Sequence, residues 1–130
     1  MVSLAAIRAS NGQVAATLPS GLTAVFVGAT SGIGETSLKQ FARHAKQPRI
    51  YFVGRSEEAG KRITTELEAL NSGGTYVFVK SDVSLLKNVD SVCRDIKSKE
   101  TAINLLFLSP GTLISKTREI LPVACRRSPY

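Results

Sequence analysis

Residues 27–34 read Val-Gly-Ala-Thr-Ser-Gly-Ile-Gly, directly behind the apolar run Leu22-Thr23-Ala24-Val25-Phe26. An apolar run that ends in a glycine-rich turn and passes into helical spacing marks a strand, a tight turn and a helix. Such a turn suits an anion, because the first N–H groups of the helix lack intrahelical partners and the positive end of its dipole lies there. Gly28, Gly32 and Gly34 let the backbone turn sharply and approach a pyrophosphate with no Cβ in the way. The spacing is Gly-x-x-x-Gly-x-Gly, and a ligand-free strand-to-helix turn could use the same glycines. The rest of the chain has to decide.

Working outward, Ile33, Leu38, Phe41 and Ala45 follow helical spacing and stop before Pro48. Ile50-Tyr51-Phe52-Val53 reads as a second buried strand. Ser56, with Glu57 and Glu58 behind it, opens a second helix striped by Ala59, Ile63, Leu67 and Leu70 and closed by Asn71-Ser72-Gly73-Gly74. Tyr76-Val77-Phe78-Val79 is a third strand, and Leu85, Leu86, Val89, Val92, Cys93 and Ile96 mark a third helix. Ile103–Leu108 is a fourth strand. Continuous apolar strands alternating with amphipathic helices predict a parallel α/β sheet covered on both faces. Gly28, Arg55, Asp82 and Ser109 each stand 27 residues after the one before. All four fall just past strand carboxyl ends, the edge at which open α/β sheets bind ligands.

The bulk numbers agree with one globular domain: 130 residues, 43% hydrophobic and 21% charged. No apolar run approaches the ~18 residues that span a bilayer, and Arg8 interrupts the N-terminal apolar stretch, so neither a membrane span nor a secretory signal is expected. Cys93, Cys125 and a single His44 make a disulfide framework or a zinc site improbable, which fits a reducing, cytoplasmic setting. The net charge of +7 raises the question of nucleic acid. The basic residues are scattered among acids along helix faces, with no stripe interleaved with aromatics, so no nucleic-acid partner is expected.

A dinucleotide site sorts its ribose 2′ substituent with a residue ~20 positions past the last glycine. There the sequence gives Gly54-Arg55-Ser56, with no carboxylate before Glu57. A guanidinium grips a phosphate through paired donors, which favours NADP over NAD; a solvated loop arginine is the plainer alternative. Asp82, after the third strand, can accept from an adenine amine, or it or Ser84 can cap the following helix.

On these residues the chain, from about Leu22 to Gly111, resembles the N-terminal half of the short-chain dehydrogenase/reductases, in particular reductase-like members of filamentous fungi. The resemblance implies a Rossmann-type sheet of strand order 3-2-1-4. It assigns the pyrophosphate turn to Gly28, Thr30, Ser31, Gly32, Ile33 and Gly34, with Val27 departing from the family's leading threonine. It assigns NADP preference to Arg55 and adenine contact to Asp82-Val83. The family's Asn-Ala-Gly segment beside the adenosine ribose reads Ser109-Pro110-Gly111 here, so Gly111 carries over while Ser109 replaces the asparagine. The implied organisation is an N-terminal extension over 1–20, an NADP-binding half-domain over 21–115 and an atypical basic tail over 116–130.

The family moves a hydride between NADP and an alcohol or carbonyl carbon, using a tyrosine acid/base, a lysine four residues on, a serine and an asparagine, all beyond the fourth strand. The one Tyr-x-x-x-Lys here, Tyr76 and Lys80, lies in a predicted strand. Residues four apart on a strand stand roughly 13 Å from each other, against about 6 Å on a helix face, so no catalytic residue is expected in this chain. After Thr117 the family continues into a long helix, whereas this sequence runs through Pro122, Arg126, Arg127 and Pro129. The expectation is a truncated product, from a frameshift, a retained intron or a mistaken gene model. Its fourth strand would be an uncovered edge and an aggregation hazard. A non-catalytic nucleotide-binding or regulatory fragment is the alternative; an interaction protein using the basic tail is the weakest reading.

Overall fold

The computed structural model describes residues 1–111. In chain order these form α1 (Leu4–Gly12), α2 (Val14–Thr17), β1 (Thr23–Val27), α3 (Gly32–His44), β2 (Arg49–Gly54), α4 (Glu57–Leu70), β3 (Thr75–Lys80), α5 (Leu86–Lys99) and β4 (Leu105–Leu108). The strands make one parallel sheet of order β3-β2-β1-β4. This is the doubly wound α/β architecture that the alternation predicts.

Every strand of the sheet sends alternate side chains to opposite faces. Phe26 and Phe52, both buried, face α3 and α4 and pack with Leu38, Ile63 and Leu67. Ring pairs Phe26–Phe107 at 5.4 Å and Phe52–Phe78 at 5.2 Å extend that layer across the sheet. Val25, Tyr51 and Val53 face the other way, onto Val92 and Ile96 of α5. Fully burying one such aromatic or aliphatic side chain stabilises the fold by about 1.5–3 kcal/mol. The Tyr51 hydroxyl donates to Glu100 at 2.7 Å, and Arg49 donates to the same carboxylate at 2.9 Å, tying the end of α5 to β2. Burial, with that carboxylate beside it, pushes the Tyr51 hydroxyl up to about 12.

Ser56 caps α4 as its sequence context predicts, accepting from the Ala59 N–H at 3.2 Å. Four expectations need correction, the last at β4. Neither Asp82 nor Ser84 caps α5: its N-cap is Leu85, with no side-chain bond, and Asp82 instead accepts from the Ser84 N–H in a local turn before the helix begins. The expected apolar stripe of α5 is also narrower. Only Val92 and Ile96 are buried, while Leu85, Leu86 and Cys93 are exposed, because the helix touches the sheet along one i, i+4 line. Ile33, expected on the stripe of α3, is 75% exposed, since the buried line of that helix runs through Gly34, Leu38 and Ala42 and Ile33 points away from it.

β4 is shorter than predicted. Asn104 ends the ladder with two bonds to Thr23, its N–H donating to the Thr23 carbonyl and its side-chain oxygen accepting from the Thr23 N–H. The N-terminal helices α1 and α2 bury no residue. Among the described residues no helix is long and apolar enough to cross a membrane. The expected tail over 116–130 lies outside the described residues.

Candidate functional site

The parallel register sets Val27 beside Val53 and Leu108, and Gly54 beside Lys80. The four segments that follow the strands therefore leave the sheet at one level. Gly28, Arg55, Asp82 and Ser109, evenly spaced in sequence, share the carboxyl edge.

The glycine turn is built by close backbone approach. Gly28 has φ +78°, and its N–H donates to the Val53 carbonyl at 3.2 Å. A Cβ there would stand 2.5 Å from the Ser109 carbonyl oxygen and 2.8 Å from the Pro110 nitrogen. Gly34, buried in the first turn of α3, presses on the Gly28 carbonyl so closely that a side chain would collide with backbone. Gly28 and Gly34 thus let β1, α3 and the end of β4 meet. Gly32 differs: its φ is +58°, and open space surrounds it. A residue there needs the left-handed conformation, and its missing Cβ leaves the turn's outer side clear.

Ser31 is the N-cap of α3, yet its side chain makes no capping bond. The leading N–H groups of α3 therefore face the turn without a side-chain acceptor, the condition under which a helix N-terminus receives an anion. Ser31 and Ile33 are exposed beside it. Thr30 is half-buried, with its methyl group packed directly on Gly54. That contact occupies the space a side chain at the end of β2 would need, so a residue with a Cβ at position 54 would have to displace the Thr30 methyl. Sequence reasoning missed this pairing, because nothing in the spacing shows that Thr30 and Gly54 touch.

Arg55 is exposed immediately past β2. Asp82 and Val83 are half-buried past β3. The Ser84 hydroxyl and N–H beside it, with the Arg55 charge adding to them, hold the Asp82 carboxyl below its usual range. The Asn88 side chain donates to the Asp82 carbonyl at 2.9 Å and fixes the loop against α5. A cavity of about 680 Å³ takes in Arg55, Ser81 and Asp82 and runs along α5 past Asn88 to Asp95. It serves the second and third loops rather than the glycine turn. Ser109 donates its N–H to the Val27 carbonyl at 2.9 Å, and its own carbonyl leans on Gly28. Among the described residues a Cβ at Gly111 would meet nothing within 4 Å.

Tyr76 and Lys80 are both on β3 and engage different partners. The Tyr76 hydroxyl donates to the Asn71 carbonyl at 2.7 Å, and Lys80 pairs with Glu57 at 3.4 Å. Among the described residues no group of three or more His, Cys, Asp or Glu side chains is placed to hold a metal ion.

A strand-glycine turn-helix at the switch point of a parallel sheet defines a dinucleotide-binding architecture. Comparison with known proteins makes this specific. Residues 22–124 match the short chain dehydrogenase family, and the chain belongs to that family. It is 45% identical over 111 residues to oxidoreductase AN1596 of Emericella nidulans, covering 85% of this chain and 33% of that one. It is 43% identical over 114 residues to oxidoreductase andH of Emericella variicolor, covering 88% and 34%. The chain spans about a third of the length of these relatives. Among solved structures, L-sorbose reductase from Gluconobacter frateurii, complexed with NADPH and L-sorbose, matches with TM-score 0.64 at 28% identity, covering 72% of this chain and 34% of that one.

Proposed function

We propose that this chain is the cofactor-binding portion of an NADP-dependent oxidoreductase that interconverts an alcohol and a carbonyl on a small-molecule substrate, in fungal secondary metabolism and in the cytoplasm. The observation that carries the NADP reading is the pairing of Arg55 with Gly54. A cation stands at the position that sorts the ribose 2′ group, and the Thr30 methyl packs on Gly54 where a side chain would begin. Membership of the family and the resemblance to an NADPH-complexed reductase support it.

The turn fits such a group, since open space surrounds Gly32 and the leading N–H groups of α3 have no side-chain acceptor. Gly28, Thr30, Ser31, Gly32, Ile33 and Gly34 would hold the pyrophosphate, Arg55 the 2′-phosphate, Asp82 and Val83 the adenine, and Ser109 with Gly111 the ribose. When bound, the nicotinamide cofactor supplies or accepts a hydride. The chain's own residues bind and orient; none of those described is assigned a proton transfer. Residues 21–115 form the binding unit in this reading, with 1–20 an extension and 116–130 a basic tail.

Calorimetric titration of the chain with NADPH and NADH, beside a carbonyl-reduction assay, tests it. NADPH should bind more tightly than NADH, without turnover. Arg55→Ala should weaken NADPH about 10- to 100-fold, the loss of one charged, bidentate phosphate contact, and leave NADH unchanged. Equal affinity for both cofactors, or an NADPH affinity indifferent to Arg55→Ala, would remove the NADP assignment. Turnover by the chain would remove the non-catalytic one.

A further inference from the structure

Glu35 lies in the first turn of α3, the helix whose N-terminus forms the cradle. An acid in that turn suits an empty helix, whose dipole it complements. It is ill placed where a second anion must be received, because two negative charges then share one partial positive end. The structure answers the conflict with a clamp. Arg62 of α4 donates to both carboxylate oxygens of Glu35, Nη1 to Oε1 at 2.9 Å and Nη2 to Oε2 at 3.0 Å. Lys39, one turn along α3, donates to Oε1 at 2.5 Å. Arg62 also pairs with Glu66 at 2.9 Å, and Lys39 pairs with Glu66 as well. Two acids and two bases close a neutral ring between α3 and α4, and the Glu35 side chain is only 16% exposed.

We infer that Arg62 is a positioning residue for cofactor binding: by clamping Glu35 toward α4 it keeps a carboxylate in the first turn of α3 from opposing the anionic cofactor. The inference rests on the cofactor reading above. It concerns residues that never touch the ligand. Arg62 sets the charge presented around the α3 N-terminus, and Lys39 alone cannot neutralise both Glu35 and Glu66.

The test is calorimetric titration of NADPH into the full chain at low salt, for the unmutated protein, Arg62→Met, Arg62→Lys, Glu35→Gln and the Arg62→Met/Glu35→Gln pair. Folding of each is checked by circular dichroism and by its urea midpoint. Arg62→Met should raise Kd about two- to fivefold, the size of one charge acting at a helix terminus. That penalty should shrink as salt approaches about 0.5 M. Arg62→Lys should keep most of the affinity, and Glu35→Gln should bind at least as well as the unmutated chain. The decisive variant is the pair: affinity should return to the unmutated value while the urea midpoint stays lowered, which a merely structural role for Arg62 does not allow. Normal affinity in Arg62→Met, or a pair as weak as Arg62→Met alone, overturns the inference and leaves the cofactor reading intact. Failure of the unmutated chain to bind NADPH overturns both.

Discussion

Ile50-Tyr51-Phe52-Val53 in β2 and Leu105-Leu106-Phe107-Leu108 in β4 are apolar runs of equal length, each with an aromatic residue third. In β2 the four are between 0% and 4% exposed. In β4, Leu106 is 58% and Leu108 63% exposed, although Leu105 and Phe107 pack on the aromatic layer under α3. β2 has a strand on each side and a helix on each face. β4 pairs only with β1 among the described residues, and its second face, beyond the reach of α5, meets no helix there. An apolar run makes a strand, but its neighbours decide whether the strand becomes core.

The largest expected effect tests that difference directly. Phe52→Ala should cost about 3–5 kcal/mol in urea unfolding, the usual loss for a fully buried aromatic. Leu106→Ala should stay within about 0.5 kcal/mol, as at other exposed positions. Similar costs for the two would break the comparison. Replacing Leu106 and Leu108 together by lysine should reduce self-association in sedimentation without lowering the midpoint, since charged edges resist pairing with other copies.

A smaller effect separates two glycines of the same sheet edge. Gly28→Ala puts a Cβ against the Ser109 carbonyl in a left-handed conformation, and should cost about 2 kcal/mol or more. Gly111→Ala, where a Cβ meets nothing within 4 Å among the described residues, should change stability by less than about 0.5 kcal/mol. Equal costs would mean that the close approach of β4 to the turn is not what demands Gly28.

The smallest effect sharpens the well-covered side. The Arg62 hydrogen bonds, helped by Lys39, hold the Glu35 carboxyl down to about 2, from an ordinary value of 4.5. A folded-state value below the unfolded one means that this stabilisation is present above pH 4.5. It is lost as the pH falls from there to about 2. After discounting for the half-exposed partner, Glu35→Gln should cost roughly 1 kcal/mol at neutral pH and flatten the acid limb of a stability profile. An acid limb unchanged in Glu35→Gln would place the pH dependence in other carboxylates.

Much of this was legible in the chain. The alternation of strands and helices, the Ser56 cap and the alignment of Gly28, Arg55, Asp82 and Ser109 along one edge follow from period, capping chemistry and regular spacing, all local signals, whereas the strand order is what the family resemblance implies. The contact of Thr30 with Gly54 and the Glu35–Arg62 clamp were not legible, because they join residues 24 and 27 positions apart: the first meets only once β1 pairs with β2, the second only once α3 and α4 pack side by side. The width of the α5 stripe was misread for a related reason. Leu85, Leu86 and Cys93 are apolar at helical spacing, but how much of a stripe is buried depends on how the helix axis lies on the sheet.

The sequence by itself determined the parallel α/β sheet and the glycine-rich strand-to-helix turn, because both rest on alternation, propensity and backbone freedom within a few residues. The tertiary structure decided which apolar residues became core, that the Thr30 methyl packs on Gly54, and how an acid in the first turn of α3 is kept neutralised. Those outcomes depend on distances between segments remote in the chain, and only packing sets such distances.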